Sequence, residues 1–344
     1  MNMKAAILEK LDSPLSIKDI ELTELKVGQV LVKVIMSGLC GAQLQEISGL
    51  KGNANFLPHL LGHEGSGIVQ EIGPGVTKVK QGDKVIMHWR KGDGIESDFP
   101  SYILDGKKIS SGKVTTLSEY SIVSENRLTA VPHSTPDYLC ALLGCGLSTA
   151  LGTINNEANL KFGESVLIVG CGGVGLNLIQ AAKLASAYPI IGLDSFQNKK
   201  HLVEKETPYF VTERSQILDL LKSLNMKNID VIIDTTGNPI LIAETIDFLS
   251  ENGRYILVGQ PKPGKDIVIP NGANMFLGNG RSIKATQGGK INPTEDLPKF
   301  IKLYEGGYLN IEHIVTHEFN LDKINEAIDL LKSGNAGRIM IKIN

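Results

Sequence analysis

A chain of 344 residues, 42% hydrophobic with 37 glycines, is long enough for two domains that each bury a core. Its 35 basic and 37 acidic residues are mixed along the chain to a formal net charge of −2, which excludes the electrostatic footprint of a nucleic-acid or anionic-membrane binder and favours small-molecule chemistry. No signal-peptide core and no apolar run of roughly 18 residues interrupts it, so a cytoplasmic location is expected, and four cysteines in so long a chain suit free thiols or metal ligands better than a disulfide framework.

From Met1 to Val131 the chain gives short β-like runs broken by Gly and Pro: QVLVKVIMSG, GSGIVQEIG, GDKVIMHW and LSEYSIVSENRLTAVP. They predict a compact all-β unit. Two segments here carry chemistry, SGLCGAQLQEISG with Cys40 and LLGHEGSGIV with His63 and Glu64. Between residues 91 and 113 the chain turns polar and Gly-rich, and reads as a long surface excursion without cysteine. A third segment, LLGCGLSTALG, adds Cys145. Two thiolates, one imidazole and an open fourth position suit a catalytic zinc. Alone, each cysteine reads as a small buried hydrophobe and the histidine as a turn residue; together, in Gly-flanked segments, they favour the metal.

After Leu142 apolar strands alternate with helical segments: SVLIVG, LNLIQAAKLAS, YPIIGLD, NKKHLVEKE, IDVIIDTTG, PILIAETIDFLS and RYILVGQ. This rhythm predicts a parallel sheet with helices on both faces. Within SVLIVGCGGVGLNLIQ, Gly170, Gly172 and Gly175 stand in G-x-G-x-x-G spacing between strand and helix, with Gly173 in the same turn. The glycines allow the tight turn, the approach of a pyrophosphate and close helix packing, while the helix N-terminus offers amides to the phosphates. Asp194, at the end of the next strand, sits where a carboxylate accepts from adenosine ribose hydroxyls and repels a 2′-phosphate, which favours NAD. Lys199 and Lys200 beside it are cations able to accommodate such a phosphate.

Near Arg281 the rhythm changes again, through EDLPKFIKLYEGG and KINEAIDLLKSG to a terminal strand, RIMIKIN. This tail reads as a return to the first domain, so that residues 1–146 and 288–344 form a discontinuous β-rich domain around an inserted α/β domain of residues 147–287. RYILVGQPK and DIVIP supply apolar strand material near a sheet edge, from which a homodimer is expected.

Taken together, these segments resemble the zinc-type medium-chain alcohol dehydrogenases over essentially the whole chain. The marks are the segment around Cys40, G-H-E-G-x-G from Gly62 to Gly67, G-D-K-V from Gly82 to Val85, G-C-G-x-S-T from Gly144 to Thr149, and the dinucleotide motif. The tail is similar to the alcohol and glutathione-dependent formaldehyde dehydrogenase branches. The resemblance implies an α/β fold made of a GroES-like catalytic domain and a doubly wound Rossmann domain, with the active site in the cleft between them. It implies that Cys40, His63 and Cys145 hold one zinc with Glu64 close behind or exchanging as a ligand, that Thr149 and Val174 flank the nicotinamide, and that Arg338 reaches the pyrophosphate. Trp89 would line the substrate pocket. Phe56, His59, His88, Trp89 and Arg90 offer a partly polar wall suited to an alcohol, polyol or sugar, or the matching aldehyde or ketone.

Two departures stand out. Many relatives carry a lobe of closely spaced cysteines with a second, structural zinc, whereas residues 90–113 contain none, so a metal-free lobe is expected. The family also follows its first zinc cysteine with a hydroxyl residue, an Asp and often a His that relay a proton and orient the imidazole; here those places hold Ala42, Gln43 and Gln45. Ala42, at the pocket, can do no proton chemistry. Two other readings stay open: a zinc-free NADPH quinone or enoyl reductase of the same superfamily, which would not need Cys40, His63 and Cys145, and a non-catalytic NAD-binding protein.

Overall fold

The computed structural model describes residues 1–52 and 56–343. It divides into two compact units, one of residues 1–148 and 292–344, the other of residues 149–291. Among the described residues no single helix is long and apolar enough to cross a membrane, and one bent pair, Asp137–Leu143 with Gly146–Ala158, passes only by length and composition.

The first unit is built on two sheets. The larger runs in the order Leu128–Val131, Lys84–His88, Glu64–Ile72, Gln29–Leu39, Arg338–Lys342, Val315–Asn320, with Tyr120–Ser124 also paired to Gln29–Leu39. Its inward residues, among them Val30, Val32, Val34, Val69, Val85, Met87, Ile339 and Ile341, form one apolar core. The smaller sheet runs His59–Leu60, Asn2–Leu8, Ser16–Leu22, Tyr102–Leu104, Lys107–Ile109 over a second core of Met3, Ile7, Ile20, Tyr102 and Ile122.

That last hairpin corrects the reading of residues 91–113 as a surface excursion. Asp105 and Gly106 both adopt positive φ, 51° and 72°, the geometry of a two-residue turn that matches strand twist, and Tyr102 behind it is fully buried. The preceding loop is pinned as well, since the Ile95 amide donates to Glu125 at 2.8 Å and Lys113 Nζ donates to the Ser97 carbonyl at 2.6 Å.

The second unit is a six-stranded parallel sheet, ordered Tyr209–Val211, Ile190–Leu193, Val166–Val169, Ile229–Asp234, Leu249–Leu257, Ser282–Ala285. In sequence order this is 3-2-1-4-5-6, the doubly wound arrangement whose ligands bind at the carboxyl ends of the strands. Its central strands are four- to six-residue segments rich in Val, Ile and Leu, as strands covered on both faces by helices are. The edge differs from the sequence reading. RYIL lies inside Leu249–Leu257, one strand in, and the outer strand is Ser282–Ala285.

Candidate active site

Antiparallel pairing brings the first two chemical segments together. Gln29–Leu39 runs against Glu64–Ile72 with Ser37 opposite Gly65, so the residue following the first strand, Cys40, lies beside the residue preceding the second, His63. Helix Asp137–Leu143 delivers the third ligand by ending against the same strand. A Cβ on Gly144 would stand 2.4 Å from the Met87 carbonyl oxygen and 2.9 Å from Glu64 Cα, so only glycine lets the helix end approach closely enough to carry Cys145 inward. The ligand atoms of Cys40, His63 and Cys145 lie within 4.8 Å of one another.

Their electrostatics are those of a cation site. The Cys145 thiol donates to Cys40 and holds the Cys40 thiol well below its ordinary range despite burial, with the His63 imidazole adding to the effect. The same hydrogen bond pushes Cys145 up. Burial alone would lower the His63 imidazole, but its contact with Cys40 raises it. Two sulfurs and one nitrogen, one sulfur already favoured as thiolate, fit a three-ligand zinc with an open position.

Behind the cluster, Glu64 and Arg338 pair with each other. Glu64 is outside the ligand cluster; it is fully buried, its Oε1 accepts from Arg338 Nη2 and its Oε2 accepts from the Gly146 amide at 3.1 Å. Burial pushes its carboxyl up and Arg338 opposes that. Arg338 is 2% exposed, and its Nη2 donates to Glu64. The two partners are 274 positions apart, a spacing no local pattern signals.

A cavity of about 230 Å³ is lined by His63, Trp89, His59, Glu46 and Thr115 among others. A second, of about 650 Å³, shares Glu46, His59 and Gly112 with it and extends to Phe56, Phe99, Lys51 and Lys108. Trp89 thus stands with a ligand histidine and Phe56 lies farther out, while Ala42 is on helix Gly41–Ile47 and lines neither cavity. His88 is not part of this wall. It is turned inward, its Nδ1–H donating to the Arg90 carbonyl at 2.6 Å and its Nε2 accepting from the Thr129 hydroxyl at 3.0 Å, and burial pushes it down to about 4. Glu46 escaped the sequence reading; the available signal was its place one turn after Gln43 on the helix that follows Cys40.

In the second unit, strand Val166–Val169 leads through the glycine turn to helix Gly173–Leu184. A Cβ on Gly175 would lie 1.9 Å from the Gly170 oxygen, whereas one on Gly172 would meet nothing within 4 Å, leaving an open cradle in front of the helix end. Val174 lies in the first turn of this helix, and Thr149 is buried in Gly146–Gly152. Asp194 accepts from the Cys171 amide at 2.8 Å and the Phe196 amide at 2.9 Å, which fixes its carboxylate beside the turn. Lys199 is buried next to it, its pKa lowered by burial against the pull of Asp194.

Comparison with known proteins follows the same division. Residues 26–133 match the alcohol dehydrogenase GroES-like domain family and residues 173–306 the zinc-binding dehydrogenase family. The chain is 30% identical to an alcohol dehydrogenase class-3 of Cereibacter sphaeroides, covering 99% of this chain and 100% of that protein. It is 29% identical to an S-(hydroxymethyl)glutathione dehydrogenase of Paracoccus denitrificans at the same coverage. Among solved structures, benzyl alcohol dehydrogenase from Acinetobacter calcoaceticus shares the fold at a TM-score of 0.90 and 24% identity, each chain covered in full. 2R,3R-butanediol dehydrogenase from Bacillus subtilis superposes at a TM-score of 0.78 and 25% identity, covering 99% of this chain and 100% of that one.

Proposed function

The chain belongs to the zinc-binding alcohol dehydrogenase family, and from that premise we propose that it interconverts an alcohol or polyol and its carbonyl partner with one zinc and NAD(H). The observation that carries this reading is the convergence of Cys40, His63 and Cys145 at a cavity that Trp89, His59 and Glu46 also line. When bound, zinc supplies Lewis acidity toward the substrate oxygen and the dinucleotide carries the hydride. Cys40, His63 and Cys145 hold the metal. The Gly170–Gly175 turn receives the pyrophosphate and Asp194 the adenosine ribose.

With Ala42 inert, the substrate hydroxyl needs another proton acceptor, and His59 is placed for it. Its Nδ1–H donates to the Leu60 carbonyl at 2.9 Å, which leaves Nε2 as the basic nitrogen of a side chain that lines both cavities. His59→Gln is therefore expected to lower oxidation at neutral pH about 10²-fold and to steepen its rise with pH. Unchanged rates in that variant would return the proton to solvent. The overall reading is tested by following NADH with sugars, polyols, aldehydes and hydroxymethyl-thiol adducts, alongside metal analysis. One zinc per chain and turnover on at least one substrate are expected; no turnover across the panel would leave a binding protein.

Asp194 makes NADH the preferred cofactor, since its carboxylate repels a 2′-phosphate and Lys199 is buried beside it. Titration should show tighter NADH than NADPH, with the gap narrowing in Asp194→Ala; tighter NADPH in the native protein would overturn this. A homodimer joined through the Ser282–Ala285 edge is the matching assembly, because that strand is paired on one side only and the segment leading into it exposes Val268 and Leu277. Light scattering at micromolar concentration checks it, and a monomeric mass refutes it.

A further inference from the structure

Gln43 is buried, 1% exposed, at the third position of helix Gly41–Ile47, and it touches two of the three proposed zinc ligands. Its Oε1 accepts from the Cys40 backbone amide at 2.8 Å, closing a capping box, and its Nε2 lies 2.5 Å from His63 Nδ1. A carboxamide has one acceptor atom, and although that oxygen carries two lone pairs, here it points at the Cys40 amide while Nε2 faces His63. The Cys40 amide is always a donor. Once His63 binds a cation through Nε2, the nitrogen away from Gln43, its Nδ1 carries a proton and becomes a donor too. Whichever way the amide is turned, one of these two donors then faces the –NH₂ group.

We infer that Gln43 is a positioning residue that weakens the metal centre: its single oxygen can satisfy either the Cys40 amide or the metal-bound form of His63, so metal capture requires the side chain to give up the helix cap. The inference rests on the zinc reading proposed above and adds what this chain's departure at position 43 does there. A carboxylate of the same length would serve both donors at once, one oxygen each.

The test is zinc affinity, measured by competition with a chromophoric chelator, in the native protein, Gln43→Glu and Gln45→Glu. Gln43→Glu is expected to bind zinc about 10–100-fold more tightly, the usual range for a partner behind a metal-bound histidine. Gln45→Glu adds the same charge two residues away and should change affinity less than about threefold. Equal affinities for the native protein and Gln43→Glu, or an equal gain from Gln45→Glu, overturn the inference.

A second measurement uses the native chain alone. If the oxygen leaves Cys40 for His63 when zinc binds, the Cys40 amide should exchange its hydrogen about tenfold faster in the zinc-loaded protein, against the general trend toward protection on ligand binding. Slower exchange at Cys40 on zinc loading contradicts the proposal. Zinc uptake that Cys40→Ala leaves unchanged would instead overturn the underlying zinc reading, so the two failures are told apart.

Discussion

Cys40→Ala is expected to lose its zinc and at least about 10³-fold in turnover while keeping its fold. The substitution removes one of three ligands and the thiolate that Cys145 pairs with, leaving a two-ligand site. A Lewis acid contributes several kcal/mol to the barrier, and each 1.36 kcal/mol is about tenfold in rate. The fold should survive because Cys40 packs as a small side chain and its backbone carbonyl accepts from the Gln43 amide at 3.0 Å whatever the side chain. Cys140→Ala is the control. That thiol is fully buried, pushed up to about 12 by burial, and remote in role from the cluster, so its loss should leave zinc and activity in place. Unchanged zinc in Cys40→Ala, or equal loss in both variants, would contradict the assignment.

Arg338→Met should destabilise the first unit by about 3–5 kcal/mol, the usual result of stripping one partner from a buried ion pair. The side chains of Arg338 and Glu64 are 3% and 0% exposed, so Glu64 would be left with only the Gly146 amide for compensation. The double variant Arg338→Met with Glu64→Gln should recover a good part of that loss, since no unpaired charge then remains. Chemical denaturation followed by a probe in the first unit measures it. A loss under about 1 kcal/mol in the single variant would mean that the pair contributes little and Glu64 is protonated in the fold.

The parallel sheet was legible because its central strands are rich in Val, Ile and Leu and alternate with helical segments. The cluster of Cys40, His63 and Cys145 was legible because glycines flank each of its residues, at Gly144 for a packing reason. The hairpin at 102–109 was missed although Asp105-Gly106 is a turn signal, because YIL and KKI are each too short to show alternation. The Glu64–Arg338 pair and the inward turn of His88 join segments far apart in sequence, and no local pattern encodes them.

The first unit is closed by a strand made after the inserted unit. Arg338–Lys342 pairs on one side with Gln29–Leu39 and on the other with Val315–Asn320, and it carries the partner of Glu64. During synthesis the unit of residues 149–291 can complete its sheet as soon as it emerges, while the sheet around Glu64 must wait for roughly 190 further residues after Ser148, ~10–40 s at ordinary elongation rates. Over the last roughly 50 residues of that interval, Cys40 and Cys145 belong to an unfinished first unit while the inserted unit of the same nascent chain is already complete. A ribosome-stalled chain ending near residue 330, with Ser282–Ala285 clear of the exit tunnel and Arg338–Lys342 not yet made, should therefore protect the inserted unit from protease and leave the segment around Cys40 and His63 open to cleavage.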